Sequence, residues 1–270
     1  GIYNMGTSSC PFCKTEQSNT KDVIKSALYL RAILPCLVDL VQLDKQAKDL
    51  IRSTNEKIYF SLRNGEKAFL QIEDDKITYS PKKEATPSIH LLLLTPTHAV
   101  QVFEQGKNPF LLKGFTKLSF LKKNFDALTK RLEYFLKGSQ DYTEEEQKIY
   151  VILQLKTALR AAEVLAEKEE ISKKILANTP QGILKIAVED IDFSVYFGSL
   201  QGRWQYIDKP SEQSVSSILS LKDLETAKLL LTNKLDTFAG LGLGKVYIAG
   251  IIPIVDNMGL VLGRITEYLS

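Results

Sequence analysis

Thr237-Phe-Ala-Gly-Leu-Gly-Leu-Gly-Lys-Val-Tyr-Ile-Ala-Gly250 is the stretch on which the reading of the fold turns. Gly240, Gly242 and Gly244 can supply positive-φ turns at no steric cost, and Lys245 to Ala249 reads as a short strand closed by Gly250. Upstream, Leu224, Ala227, Leu230 and Leu231 fall at helical spacing. Downstream, Ile251 to Leu269 is almost uninterrupted apolar sequence that needs a cover, a partner or a ligand. The order is helix, glycine-rich turn, strand, apolar helix.

The same order occurs earlier. Ala99, Val100 and Phe103 form a helical stripe, Gly106 to Pro109 a turn, Lys117-Leu-Ser-Phe-Leu121 a strand, and Phe125 to Leu136 an amphipathic helix. Lys117 against Lys245 gives 245 minus 117, or 128, and Lys130 against Arg264 gives 264 minus 130, or 134. Upstream, Asp49 against Lys174 gives 125 and Ile58 against Ile186 gives 128. Four landmarks in one order at nearly one offset predict a tandem duplication with a small insertion in the second copy.

Taken in order, residues 1–20 read as a flexible, aperiodic arm. Val23, Ala27, Leu30, Leu34, Leu37, Val41 and Ile51 then recur at helical spacing, with Pro35 predicting a kink or break. Ile58 to Leu62, Arg63-Asn-Gly-Glu66 and Lys67 to Ile72 form a hairpin, a turn at Asp74-Asp75 leads to Lys76 to Tyr79, and Ser88 to Leu94 follows a proline-bearing loop. This predicts an antiparallel meander of about five strands under helices, an α+β sandwich. The joint is Gly138 to Thr143, where Thr143 and Glu146 read as a capping box. The helix it opens carries Leu155, Leu159, Ala162 and Leu165 on one side and ends at Asn178 to Gly182; strands follow at Ile183, Phe193, Arg203 and Val215. The organisation is thus an arm (1–20), a first domain (21–138) and a second domain (139–270).

Composition agrees with two globular units. The 270 residues are 44% hydrophobic and 25% charged, with net charge +3, too little to argue for nucleic acid. The longest apolar runs are interrupted by Pro253, Asp256 and Asn257, short of a spanning helix. The N-terminus as given shows no leader pattern, so a cytoplasmic location is expected. Three cysteines build no disulfide framework: Cys10-Pro-Phe-Cys13 has dithiol spacing without the βαβ context that a redox role needs, and Cys36 reads as a buried small hydrophobe.

Each half resembles the sterol carrier protein 2-like family of lipid-binding domains. The signature is an apolar helix, a turn, then Gly244-Lys245-Val246-Tyr247-Ile248-Ala249-Gly250, together with the hairpin Ile58 to Ile72 and the strand Lys76 to Tyr79. The likeness covers about residues 22 to 137 and 144 to 270; the first copy has Gly114-Phe-Thr-Lys117 and Lys122 in place of the glycines. It implies two tandem α+β domains, each a five-stranded, mostly antiparallel sheet with helices on one face. It also implies an apolar tunnel for a fatty acid, phospholipid or sterol-like lipid.

The apolar residues expected at such a ligand are Phe103, Phe110, Phe115, Phe120, Phe125, Leu128 and Leu132 in the first copy. In the second they are Phe238, Val246, Ile248, Ile251, Ile254, Val255, Met258, Val261, Leu262 and Ile265. The competing use of the same residues is a filled core, an interface between repeats or a surface for a partner protein. Between Lys107 and Lys137, eight basic residues stand against Asp126 and Glu133, 8 minus 2 or +6, interleaved with phenylalanines, as suits an anionic membrane surface. No nucleic-acid motif accompanies them. His90 and His98 have no evident nucleophile or carboxylate partner, and Gly240 to Lys245 has Val246 where a phosphate-binding loop needs a hydroxyl. The chain reads as a non-catalytic lipid carrier without cofactor or metal.

Overall fold

The computed structural model describes residues 11–269, with side chains from residue 19 onward, so the Cys10–Cys13 pair and residues 1–10 of the expected arm lie outside what is described. Helix α1 (Pro11–Leu28) starts inside that arm: residues 11–20 are helical, with Pro11 at a position where its missing N–H is no loss and good helix formers such as Lys14, Glu16 and Gln17 behind it. Pro35 breaks the pattern as expected. A π-helical turn, Tyr29–Ile33, absorbs it, with the Leu34 N–H donating to Tyr29 O at 3.0 Å, before α2 (Cys36–Leu43) and α3 (Lys45–Leu50).

The first sheet holds β1 (Glu56–Leu62), β2 (Lys67–Glu73), β3 (Lys76–Ser80), β4 (Ile89–Leu93) and β5 (Phe110–Lys113) in the order β3-β2-β1-β4-β5. The hairpins are as read, with Asp74 and Asp75 both at positive φ. The simple meander is not: the loop after β3 carries the chain across β2 and β1, so β4 lies parallel to β1 with Ile58 opposite Ile89. Helix α4 (Pro96–Gln105), capped by Thr95 and closed by Gly106 at φ 69°, precedes β5. The expected strand Lys117–Leu121 is helical. Its apolar residues continue the helical spacing of Leu118, Leu121, Phe125 and Leu128, and the strand's place is taken by Phe110–Lys113 upstream. A 3-10 turn (Phe115–Lys117), α5 (Leu118–Phe120), a second π turn (Leu121–Phe125) and α6 (Asp126–Lys137) complete the half.

The second half opens with α7 (Glu144–Lys168), whose Thr143–Glu146 capping box forms in both directions. The helix breaks at Glu169, in extended conformation, before α8 (Glu170–Ala177). Strands β6 (Ile183–Val188), β7 (Phe193–Leu200), β8 (Arg203–Ile207) and β9 (Val215–Leu221) follow, then α9 (Leu224–Leu231), α10 (Thr237–Gly242), β10 (Val246–Gly250) and α11 (Ile252–Arg264). The sheet order, β10-β9-β6-β7-β8, matches the first sheet strand for strand, again with its central pair parallel. The glycine-rich turn is mostly the short helix α10, capped by Asp236; only Gly244 of its three glycines has positive φ.

Equivalent side chains do equivalent work in the two halves. Ser88 Oγ accepts from the Lys57 N–H at 2.8 Å, and Ser216 Oγ from the Ile183 N–H at 3.1 Å. Gly114 (φ 102°) and Gly250 (φ 85°) end β5 and β10, where a Cβ would run into the carbonyl of Ser88 or Ser216. Offsets grow from 216 minus 88, or 128, to 250 minus 114, or 136, because the second copy inserts α10 between α9 and β10.

The halves share one continuous apolar core, and α7 runs through it. Five consecutive residues, Ile149 to Leu153, are buried, so the helix is covered on several sides instead of presenting the single stripe its leucines suggested. Charges cross between halves reciprocally: Arg31 pairs with Glu163 and Glu167, while Lys156 and Arg160 reach Asp39 at 2.6 and 3.2 Å. Tyr79 donates to Leu30 O beside Arg31, and the Arg160 guanidinium lies 5.0 Å from the centre of the Tyr206 ring. Cys36, fully buried, meets Thr157 Oγ1 at 2.9 Å, and burial pushes its thiol up, away from a reactive thiolate. Among the described residues no helix is long and apolar enough to cross a membrane.

Asp39 is the buried carboxylate that two half-buried cations share. Asp39→Ala should cost about 3 kcal/mol in urea unfolding, and adding Lys156→Met with Arg160→Met should regain most of that loss. A cost under about 0.5 kcal/mol would remove the crossing pairs from any part in setting how the halves meet.

Candidate functional site

One cavity of about 1890 Å³ lies between the two halves. Its floor is built from the inner faces of both sheets: Phe60 and Leu91 from the first, Leu184, Ile186, Leu219 and Leu221 from the second. Strand alternation places these residues there, because Ile58, Phe60 and Leu62 face inward together and Leu184, Ile186 and Val188 do the same. The walls are helical. The π turns contribute Tyr29, Ile33, Leu121 and Phe125; α6 gives Leu132 and Leu136; α7 gives Leu155 and Ala158; α9 gives Leu230 and Leu231; α11 gives Val255, Met258 and Leu262.

Polar groups gather at the rim. Glu104, Lys107, Asn108, Lys122, Glu133, Lys137, Asn233 and Asp236 are all exposed and border the opening. Lys25 donates to Glu104 at 2.9 Å, and Tyr29, which stacks on Phe103 at 4.9 Å, turns its hydroxyl toward the same carboxylate. Burial, reinforced by Glu104, pushes that phenol well above its ordinary range, so it stays a neutral donor. Deeper in, Thr157 is satisfied by donating to Leu153 O at 2.7 Å. Among the described residues no buried side-chain polar atom lacks a partner, and no cluster of metal-ligating groups occurs. The floor therefore presents hydrocarbon without an unmet polar demand, and the rim presents charge.

Two buried carboxylates hold the walls. Asp44, in the break between α2 and α3, caps α3 through the Ala47 N–H and accepts from Arg131 of α6 at 2.8 and 3.0 Å. Arg131 also lies 4.8 and 4.7 Å from the ring centres of Tyr134 and Phe135. Glu169, in the break between α7 and α8, accepts from Arg264 of α11 at 3.3 and 3.2 Å, from Ser172 at 2.6 Å and from Tyr268. Burial opposes ionisation of Glu169, but hydrogen bonds from Arg264, Ser172 and Tyr268 outweigh it and hold the carboxyl below its usual range. Each closing helix is thus tied by an arginine to the break in its own half's opening helices.

Of the residues expected at a ligand, Phe103, Phe125, Leu132, Val255, Met258, Leu262 and Ile265 border this cavity. Leu128, Val246, Ile254 and Val261 are buried in the core outside it, and Phe120 and Ile248 pack half-buried against that core. Phe110, Phe115, Phe238 and Ile251 are exposed to solvent away from it. The lining contributed by Tyr29, Ile33, Phe60, Leu155 and the second sheet was not anticipated; the Pro35 signal, which forces the π turn, is the one sequence feature pointing to Tyr29 and Ile33. The histidines stand apart: His90 Nε2 meets Ser61 Oγ at 2.7 Å with no carboxylate behind it, and His98 accepts the Leu94 N–H on Nδ1 at 3.1 Å.

No protein-family model and no curated protein matches the chain. Among solved structures, a stereoselective inverting sec-alkylsulfatase from Pseudomonas sp. aligns over 54% of this chain at 9% identity with a TM-score of 0.25. The alignment spans 29% of that enzyme's length, and a likeness this slight carries no argument about fold or chemistry.

An unfolded glutamate titrates near 4.5, and Glu169 in the fold titrates lower. The Glu169 latch therefore contributes fully above that value and is lost as pH falls through the lower, folded one. Arg264→Ala should cost about 2–3 kcal/mol at neutral pH, because it strands a buried carboxylate. The gap between variant and native protein should narrow at about pH 3.5, where the carboxyl is neutral in the variant. Equal gaps in urea titrations at both pH values would contradict this account of the latch.

Proposed function

We propose that the chain binds a lipid without transforming it, holding the hydrocarbon part in the shared cavity and leaving the polar head at the charged rim. The observation that carries this reading is a cavity of about 1890 Å³ with an apolar floor supplied by both sheets. Ordinary small-molecule pockets are roughly 300–1000 Å³, so the space suits a long or branched hydrocarbon better than a compact polar metabolite. The resemblance of each half to sterol carrier protein 2-like domains points the same way, toward a fatty acid, phospholipid or sterol-like ligand. No step of the proposal needs a nucleophile, a metal or a cofactor.

A second reading, that the apolar surplus serves contact between repeats or with a partner protein, draws on Leu128, Val246, Ile254 and Val261, which are spent in the core. It leaves the cavity without a purpose.

Gly259 and Gly263 line the cavity on α11, and a Cβ at either would meet nothing within 4 Å. Native mass spectrometry of the purified chain should show bound lipid. Gly259→Phe with Gly263→Phe should lower lipid occupancy and the affinity for a fluorescent fatty acid at least about tenfold, with secondary structure intact. A chain that carries no lipid and neither binds nor releases the fluorescent probe would end the proposal.

A further inference from the structure

We propose that the segment Lys107–Lys123 docks the chain on an anionic lipid bilayer with the mouth of the cavity against the membrane. The inference rests on the lipid-binding reading and adds the partner from which the ligand is taken. Phe115 is 68% exposed, Phe110 and Leu112 each 52% and Leu118 41%, an unusual set of large apolar side chains on one short segment. Backbone geometry puts them there. On the edge strand β5, Leu111 turns inward to the cavity while its neighbours Phe110 and Leu112 point out, and Gly114 at φ 102° swings the chain so that Phe115 stands beyond the strand end.

Charge names the partner. Between Lys107 and Lys123 there are five lysines and no carboxylate. Lys117 is taken up by Glu56 at 2.6 Å, whereas Lys107, Lys113, Lys122 and Lys123 are exposed and form no ion pair among the described residues. Lysines around apolar side chains suit a surface that offers anionic head groups above an acyl interior. The second half also exposes apolar residues at the equivalent place, Tyr247, Ile251 and Ile252, but from Lys234 to Gly259 two lysines stand against Asp236 and Asp256, 2 minus 2 or 0, so electrostatics favour the first half. Lys107, Leu118 and Lys122 belong both to the patch and to the cavity rim. A lipid lifted from the bilayer would pass from patch to cavity without crossing water.

The test is flotation of the full chain with phosphatidylcholine vesicles containing roughly a third phosphatidylserine, against pure phosphatidylcholine. Binding is expected to the anionic vesicles only and to weaken as salt is raised. Leu112→Ser with Phe115→Ser, and separately Lys113→Glu with Lys123→Glu, should each lower vesicle binding at least about tenfold. Both pairs lie outside the cavity, so uptake of a fluorescent fatty acid from solution should be unchanged. Equal binding to neutral vesicles, unaltered binding by the variants, or self-association through β5 that the same variants abolish would overturn the proposal. Lipid carried through purification without any vesicle binding would sink the docking surface and leave the cavity reading standing; vesicle binding by a chain that takes up no lipid would do the reverse.

Discussion

The grip of Arg131 on Asp44 and of Arg264 on Glu169 is the constraint on which the rest of the molecule depends. Each carboxylate is buried, at 7% and 4% exposure, in an extended break between helices, where side chains must complete what the backbone leaves unmet: only the Ala47 N–H reaches Asp44. A buried charge without its partner is costly, so each arginine, and with it the closing helix that carries it, is tied to one place. This matters because an open cleft walled by apolar side chains is not held open by those side chains alone; dispersion and burial both favour closing it. Walls tied at their ends by ion pairs can stand apart in the middle. The cavity is therefore a property of the polar frame as much as of its apolar lining.

A second set of charges decides how the halves face one another. Arg31 of the first half reaches Glu163 of the second, and Arg160 of the second reaches Asp39 of the first. That reciprocity is the pattern of a self-complementary contact between two copies of one unit, here joined in a single chain. Its consequence is that neither half encloses the cavity alone. The first sheet supplies part of the floor and the second the rest, with α7 between them.

Much of the secondary structure was legible, because turns and caps are local chemistry. Asp74-Asp75, Pro35 and the Thr143–Glu146 box each act within a few residues and were read correctly. The segment Lys117–Leu121 was not, since five residues of mixed apolar character fit a strand or a helix equally well and tertiary pairing of β5 with β4 decided the matter. The parallel pairing of β1 with β4 is likewise a matter of loop path. The latches were invisible for another reason: a single Asp44 or Glu169 looks like any solvated acid until the fold shows that it is buried. On α11, periodicity identified the apolar residues but not which side meets the void, so Val255, Met258 and Leu262 were grouped with Ile254 and Val261. The two sets lie only about 100° apart around the helix.

The glycines separate close packing from open space. Gly240 is required because a Cβ there would strike Val246, and Gly250 because it would strike the Ser216 carbonyl. Gly259 and Gly263 meet no such neighbour, and neither is needed for a positive φ, since both lie within α11. Glycine inside a helix is less stable than alanine by about 1 kcal/mol, so two of them four residues apart carry a cost with no steric return. Both are exposed and border the mouth of the cavity, so a larger side chain at either would stand at that opening. Alanine at either position would raise helix stability without a clash. Their emptiness is accounted for if the volume they leave is itself what the helix provides.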